Sequence, residues 1–122
     1  MEQGAPPAPS LEDLVASGLP LIVADAMGRV AEINDAFTRV YGWEANQLMG
    51  ESLGLILPEA HRMSHQLAFS RFQPPQASAI LGHPLRLATR CADGSEITSE
   101  HFIIAIQRAG GWQFAATLKP LS

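Results

Sequence analysis

The stretch Leu21-Ile22-Val23-Ala24-Asp25-Ala26-Met27-Gly28-Arg29-Val30-Ala31-Glu32-Ile33-Asn34-Asp35-Ala36-Phe37 decides how the rest of the chain is read. Two short apolar runs, Leu21 to Asp25 and Val30 to Ile33, flank a turn containing Gly28, which is the pattern of a β-hairpin. At Asn34 the period changes. Ala36, Phe37, Val40 and Tyr41 fall at helical spacing, and Gly42 stands where a left-handed residue would end the helix. Upstream, Ser10 and Asp13 form the start signal of a short helix whose stripe is Leu11, Leu14 and Val15. Six or seven residues cannot hold a helix alone, so this one needs a surface to pack on.

Downstream, Glu44 to Met49 reads as another short helix, closed by Gly50. Pro58-Glu59 opens a longer one, with proline at the first helical position and an acid at the positive end of the macrodipole. Ala60, Leu67, Ala68 and Phe72 form its apolar arc, and Pro74-Pro75 stops it. The last third is β. Leu85 and Leu87 alternate with Arg86 and Ala88, Ala92-Asp93-Gly94-Ser95 marks a turn, Ile97 to Ile106 makes a long strand, and Trp112 to Leu118 follows the Ala109-Gly110-Gly111 turn. Two strands, several short helices and three strands give an α+β domain with an antiparallel sheet.

Composition narrows the function. The 122 residues are 47% hydrophobic and 16% charged, enough to fill one core. The net charge of −4 and the scatter of seven arginines and Lys119 give no footprint for nucleic acid. No run approaches the roughly 20 apolar residues of a membrane span, and no charged region precedes an apolar one as in a secretory signal, so a cytoplasmic chain is expected. The single cysteine, Cys91, excludes an internal disulfide and reads as a structural thiol. Neither a nucleophile elbow nor a Walker loop is present, and catalysis is not expected.

The elements Asp25 to Val30, Asn34-Asp35-Ala36-Phe37, Tyr41-Gly42-Trp43, Leu48-Met49-Gly50, Leu57-Pro58-Glu59, Arg62, His65 and Asp93-Gly94-Ser95, in this order and spacing, resemble a PAS domain. The resemblance implies a PAS fold: a five-stranded antiparallel sheet with short helices on one face and an N-terminal cap helix. It divides the chain into a flexible tail over 1–9, a cap helix over 10–18 and the PAS domain over 19–119. It also implies a cavity between sheet and long helix, a sensory role, and transmission by dimerisation or a partner signalling domain, as in two-component or chemotaxis systems. The alternative is an interaction module without a cofactor. The chain departs from the family at Leu118 to Ser122, where many members run through an Asp-Ile-Thr-like junction into a signalling helix. A fragment of a larger sensor or a lone module is expected.

The long-helix motif is similar to that of haem-binding PAS domains in oxygen-sensor kinases. That similarity implies that His65 would ligate the iron of haem b and Arg71 would help hold a propionate. Leu85 stands where those sensors carry a gas-responsive arginine, and Ala79 replaces a polar group near the propionates. The resemblance also implies that Ile80, His101 and Ile103 line the cavity. Alternation along Ile97 to Ile106 puts Ile97, Ser99, His101, Ile103 and Ala105 on one face. His101 there is a distal ligand, a hydrogen-bond donor to a bound molecule, or a histidine satisfied by its neighbours. A flavin held without a covalent bond is a further cofactor, since Cys91 lies outside the photoadduct motif. His61 and His65 have a zinc-compatible i, i+4 spacing but no third ligand near in sequence. The opposite face of the long strand, Phe102, Ile104 and Ile106, needs a cover, and the Leu11 to Ala16 helix, from the same chain or from a second copy in a homodimer, is expected to supply it.

Overall fold

The computed structural model describes residues 10–57, 85–108 and 111–121. Its elements in chain order are α1 (Leu11–Ala16), β1 (Leu21–Asp25), β2 (Val30–Ile33), α2 (Asp35–Tyr41), α3 (Ala45–Leu48), a 3₁₀ turn (Leu53–Ile56), β3 (Leu85–Arg90), β4 (Glu96–Arg108) and β5 (Gly111–Pro120). The five strands form one antiparallel sheet in the order β2-β1-β5-β4-β3. The expected α+β architecture is therefore observed. The helix expected from Pro58 to Phe72 and the tail over 1–9 lie outside the described residues.

Strand alternation sorts the side chains onto two faces. On β1, Ile22 joins an inner core with Val30, Phe37, Tyr41, Leu48, Ile56, Cys91 and Leu118. Leu21 and Val23 point the other way, into an outer core with Leu14, Ile104 and Ala115. Both faces are thus covered, the inner by α2, α3 and the 3₁₀ turn, the outer by α1. The Ser10 hydroxyl accepts from the Asp13 N–H at 3.2 Å and the Asp13 carboxylate accepts from the Ser10 N–H at 2.9 Å, which fixes where α1 begins. One expectation is corrected here. Leu14 is buried and Leu11 half-buried, but Val15 is 55% exposed, because the six-residue helix rests on the sheet along a narrower stripe than its sequence pattern spans.

Asn34 joins the first hairpin to α2. Its Oδ1 accepts from the Phe37 N–H at 2.9 Å as the helix cap and from the Leu21 N–H at 3.0 Å, while Nδ2 donates to the Leu19 carbonyl at 3.0 Å. Gly42 closes α2 in the left-handed region, at φ 83°. The segment after α3 continues the sheet edge: Val30 donates to the Glu51 carbonyl and accepts from the Gly50 N–H, both at 2.8 Å.

The two outer hairpins are built alike. Asp25 and Arg29 close one loop and Cys91 and Ser95 the other. In each, the fourth residue, Gly28 or Gly94, donates back to the first residue's carbonyl at 3.0 Å. Each is a three-residue loop, a β-turn followed by a left-handed glycine, rather than the two-residue turn that Asp93-Gly94 suggests in sequence. The Asp93 carboxylate reinforces its loop: Oδ1 accepts from the Ser95 N–H at 2.9 Å and from the Ser95 hydroxyl at 2.6 Å.

Gly94 has φ +90° and nothing within 4 Å of an added Cβ, so only backbone strain opposes substitution there. Gly94→Val is expected to lower stability by about 1–2 kcal/mol, and Gly94→Asn, which tolerates the left-handed region, by less. Urea denaturation of both variants checks the order; equal losses would mean that left-handed strain is not the cause.

Candidate functional site

The inner face of β3 and β4 combines apolar walls with a buried polar row. Register pairs Leu85 with His101, Leu87 with Ser99 and Thr89 with Ile97. Alternation sends Arg86, Arg90, Glu96, Glu100 and, on β5, Lys119 to the outer face. No inner position of β3, β4 or β5 among the described residues carries Asp, Glu, Lys or Arg. The opposing charges instead meet each other across the outer surface, where Glu100 stands between Arg86 and Lys119.

Among the described residues, four side chains with polar atoms are buried on the inner side. Ser99 and Thr89 are fully buried, Tyr41 is 1% exposed and His101 5%. Burial of hydroxyls and an imidazole is tolerated only when they are hydrogen-bonded, and these bond to one another. Tyr41 Oη lies 2.6 Å from Ser99 Oγ, and Ser99 Oγ donates to the Ile97 carbonyl at 3.3 Å. Thr89 Oγ1 lies 2.9 Å from His101 Nε2, so the four groups form two bonded pairs. Thr89 is offset along β3 from Leu85, the register partner of His101, so this bond runs between residues that the register does not pair.

α2 positions the phenol. Its N-cap at Asn34 and its glycine C-cap set the length of the helix so that Tyr41, in the last turn, meets β3 and β4. The Tyr41 carbonyl accepts from the Ala92 N–H at 2.9 Å, and the Trp43 indole donates to the Arg90 carbonyl at 2.9 Å, which fastens the end of α2 to the β3–β4 hairpin. The Phe37 ring packs against the Tyr41 ring, tilted, with centroids 5.0 Å apart.

Of the residues singled out in sequence, the structure places His101 in this row and Ile103, half-buried, on the same face by alternation. His65, Arg71 and Ile80 lie outside the described residues, as do His61 and Ala79. Cys91 is a free, buried thiol in the inner core near Tyr41. Sequence reasoning placed Tyr41 and Ser99 on elements without giving them a role, and missed Thr89 altogether. The available signal was a tyrosine on an apolar helix stripe, whose hydroxyl must find a partner once buried.

Burial pushes the Tyr41 phenol above its ordinary value of 10.0; the hydroxyls of Ser99 and Thr89 oppose this and the neighbouring Cys91 adds to it. The folded chain therefore holds this proton more tightly than the unfolded chain. Stability from this group is whole below the unfolded value and is lost as the pH rises through the folded one. Tyr41 is the single tyrosine, so its ionisation is read directly by ultraviolet absorbance. Wild type is expected to lose stability as phenolate forms above pH 10.0. Tyr41→Phe removes that pH-dependent loss while lowering neutral-pH stability by about 1–3 kcal/mol, since partners are left unsatisfied. Phenolate formation at the ordinary value in folded protein would contradict the burial.

Comparison with known proteins agrees with this architecture. The family model described as the PAS fold matches residues 14–108. The Sensor protein FixL of Bradyrhizobium diazoefficiens is 25% identical over 91 residues, which are 75% of this chain and 18% of that protein. The chain thus spans under a fifth of that relative. Among solved structures, a PAS domain of an HTR-like protein from Haloarcula marismortui superposes with a TM-score of 0.69 at 20% identity, covering 86% of this chain and 83% of that one. A PAS domain from Desulfitobacterium hafniense gives 0.70 at 16% identity, covering 84% and 92%. At such identities the likeness of these structures is one of fold.

Proposed function

The chain belongs to the PAS family, whose members are sensory modules, and on that premise we propose that it binds a small molecule or cofactor against the inner face of the sheet and passes the change on by association. The observation that carries this reading is the two bonded pairs of buried polar groups, Tyr41 with Ser99 and Thr89 with His101, among inner positions of β3 to β5 that carry no Asp, Glu, Lys or Arg among the described residues. Such a wall offers an apolar body a dry surface, with few polar groups to orient it. The likeness to a protein named as a sensor supports the same role. An interaction module without a cofactor is the competing reading, and neither involves catalysis.

Haem b is the more specific form of the proposal, resting on the spacing of His65 and Arg71 in the sequence. The charge-free inner face suits the body of a porphyrin. Among the described residues no group of three or more His, Cys, Asp or Glu is placed to hold a metal ion, and His101 Nε2 is engaged by Thr89. By the sequence motif, His65 would then hold the iron and Arg71 would pair with a propionate carboxylate. Bound haem would supply an iron centre responsive to a diatomic gas or to redox state. A visible spectrum of the purified chain before and after adding hemin tests this. A Soret band is expected with wild type and its loss or shift with His65→Ala; an unchanged spectrum and affinity in the variant would remove His65 as the ligand. A colourless chain that takes up neither hemin nor flavin and copurifies with no small molecule would favour the interaction module.

Association has a definite place in the fold. α1 covers Ile104, which is buried, within one chain, yet Val15 is 55% exposed and Phe102 and Ile106 are half-buried. We propose that a second copy covers this remaining apolar surface. No helix among the described residues is long and apolar enough to cross a membrane. Light scattering at micromolar concentration is expected to show a dimer for wild type and a monomer for Val15→Glu. A monomeric wild type would overturn this route.

A further inference from the structure

We propose that the free edge of β3 docks an extended acidic segment of a partner protein, which joins the sheet as an added strand. This edge is distinct from the ligand face and from the self-association surface described above, and its use depends on neither. The sheet ends in β2 on one side and β3 on the other. At the β2 end Val30 already bonds the backbone of Gly50 and Glu51, so that edge is covered.

Neighbouring contacts fix the hydrogen-bond phase of β3. Antiparallel partners alternate between pairs that exchange bonds and pairs that do not. The Cys91 N–H donates to the Ser95 carbonyl at 2.7 Å, so position 91 faces β4 and position 90 faces away. Two further bonds agree. The Arg90 carbonyl accepts from the Trp43 indole, outside the sheet. The carbonyl of Thr98, the register partner of Ala88, accepts from the Leu121 N–H at 2.9 Å, on the side away from β3. Counting back by twos, Ala88 and Arg86 also direct their N–H and C=O groups outward. No described residue bonds those groups. The edge is thus fastened at Arg90 and open from Ala88 to Arg86.

The side chains set the chemistry of the strand that fits. Arg86, Ala88 and Arg90 share the outer face. Across that face Lys119, Glu100 and Arg86 form a row of alternating sign, and Glu96 and Arg90 form a shorter one. Both rows end at the edge on an arginine, so an added strand continues the alternation with acids opposite Arg86 and Arg90. Its other side chains fall beside Leu85 and Leu87, which are half-buried on the inner face, and are therefore apolar. A second copy paired through its own β3 about Ala88 would set Arg86 against Arg90, a like-charge contact that opposes edge-to-edge association. Main-chain bonds supply affinity here, and the two arginines choose the partner.

The probe is a capped heptapeptide of alternating valine and polar residues, with glutamate second and sixth and threonine fourth. Proton–nitrogen NMR of the nitrogen-15-labelled full chain at low salt is expected to show the peptide shifting the Arg86 and Ala88 amides and slowing exchange of their N–H protons. Arg86→Glu should weaken binding by roughly tenfold, as should lysine in place of both glutamates. Ala88→Pro removes an outward N–H that no bond to β4 uses, so the fold tolerates it while binding is lost. The proposal is overturned by absence of binding, by equal binding of the lysine peptide, by shifts confined to other elements, or by unchanged affinity in folded Ala88→Pro or Arg86→Glu. Slow exchange of the Ala88 N–H without peptide would also overturn it, since the edge would already be paired. Should Ala88→Pro fail to fold, Arg86→Glu and the lysine peptide decide the matter.

Discussion

The hydroxyl of Tyr41, buried against the inner face of the sheet and bonded to Ser99, is the contact on which the arrangement of the domain depends. It joins parts of the chain 58 residues apart, the end of α2 and the middle of β4. Two backbone-directed bonds act beside it, Ala92 to the Tyr41 carbonyl and Trp43 to the Arg90 carbonyl, so the helix end and the β3–β4 hairpin hold one another at three points. A phenol in such a place is costly unless paired, and each polar neighbour brought in to pair it must be paired in turn. The same requirement pairs Thr89 with His101 beside it.

The sheet sets the second condition. β1 and β5 lie inside it and bury apolar side chains on both faces, so each side needs a layer. α2, α3 and the 3₁₀ turn supply the inner layer, with Phe37 and Leu48 fully buried in it. α1 supplies the outer one, and its capping box allows six residues to form a helix that would not persist alone. Charge follows the same division. Arg86, Glu100 and Lys119 form an alternating row on the outer face, which leaves the inner face of β3 to β5 neutral and suited to apolar contact.

The strand order explains how local signals become a site. Each hairpin is specified nearby in sequence, by Gly28 after Asp25 and by Gly94 after Cys91. The central pairing of β1 with β5 joins the two ends of the domain, and register there is enforced by burial: a slip of one residue would send Ile22 and Val23 each to the wrong face. Once that register holds, the inner positions of β3 and β4 face α2, Ser99 falls within reach of the Tyr41 phenol, and Thr89 within reach of His101.

What the sequence determined by itself is what alternation, helical spacing and turn residues encode locally. These are the two hairpins, the caps of α1 and α2 at Ser10 and Asn34, the glycine ending α2, and the two-faced pattern of β4, together with the family order of its motifs. Tertiary structure alone decided which hydroxyls meet. Thr89 and His101 are twelve positions apart on strands whose register does not pair them, and Tyr41 comes from a helix, so no spacing rule brings the three together. It also decided that α1 leaves Val15 exposed. The physical reason is the same in each case. Local patterns fix which face a side chain takes, while the partner of a buried polar group is set by the register and packing of elements distant in the chain.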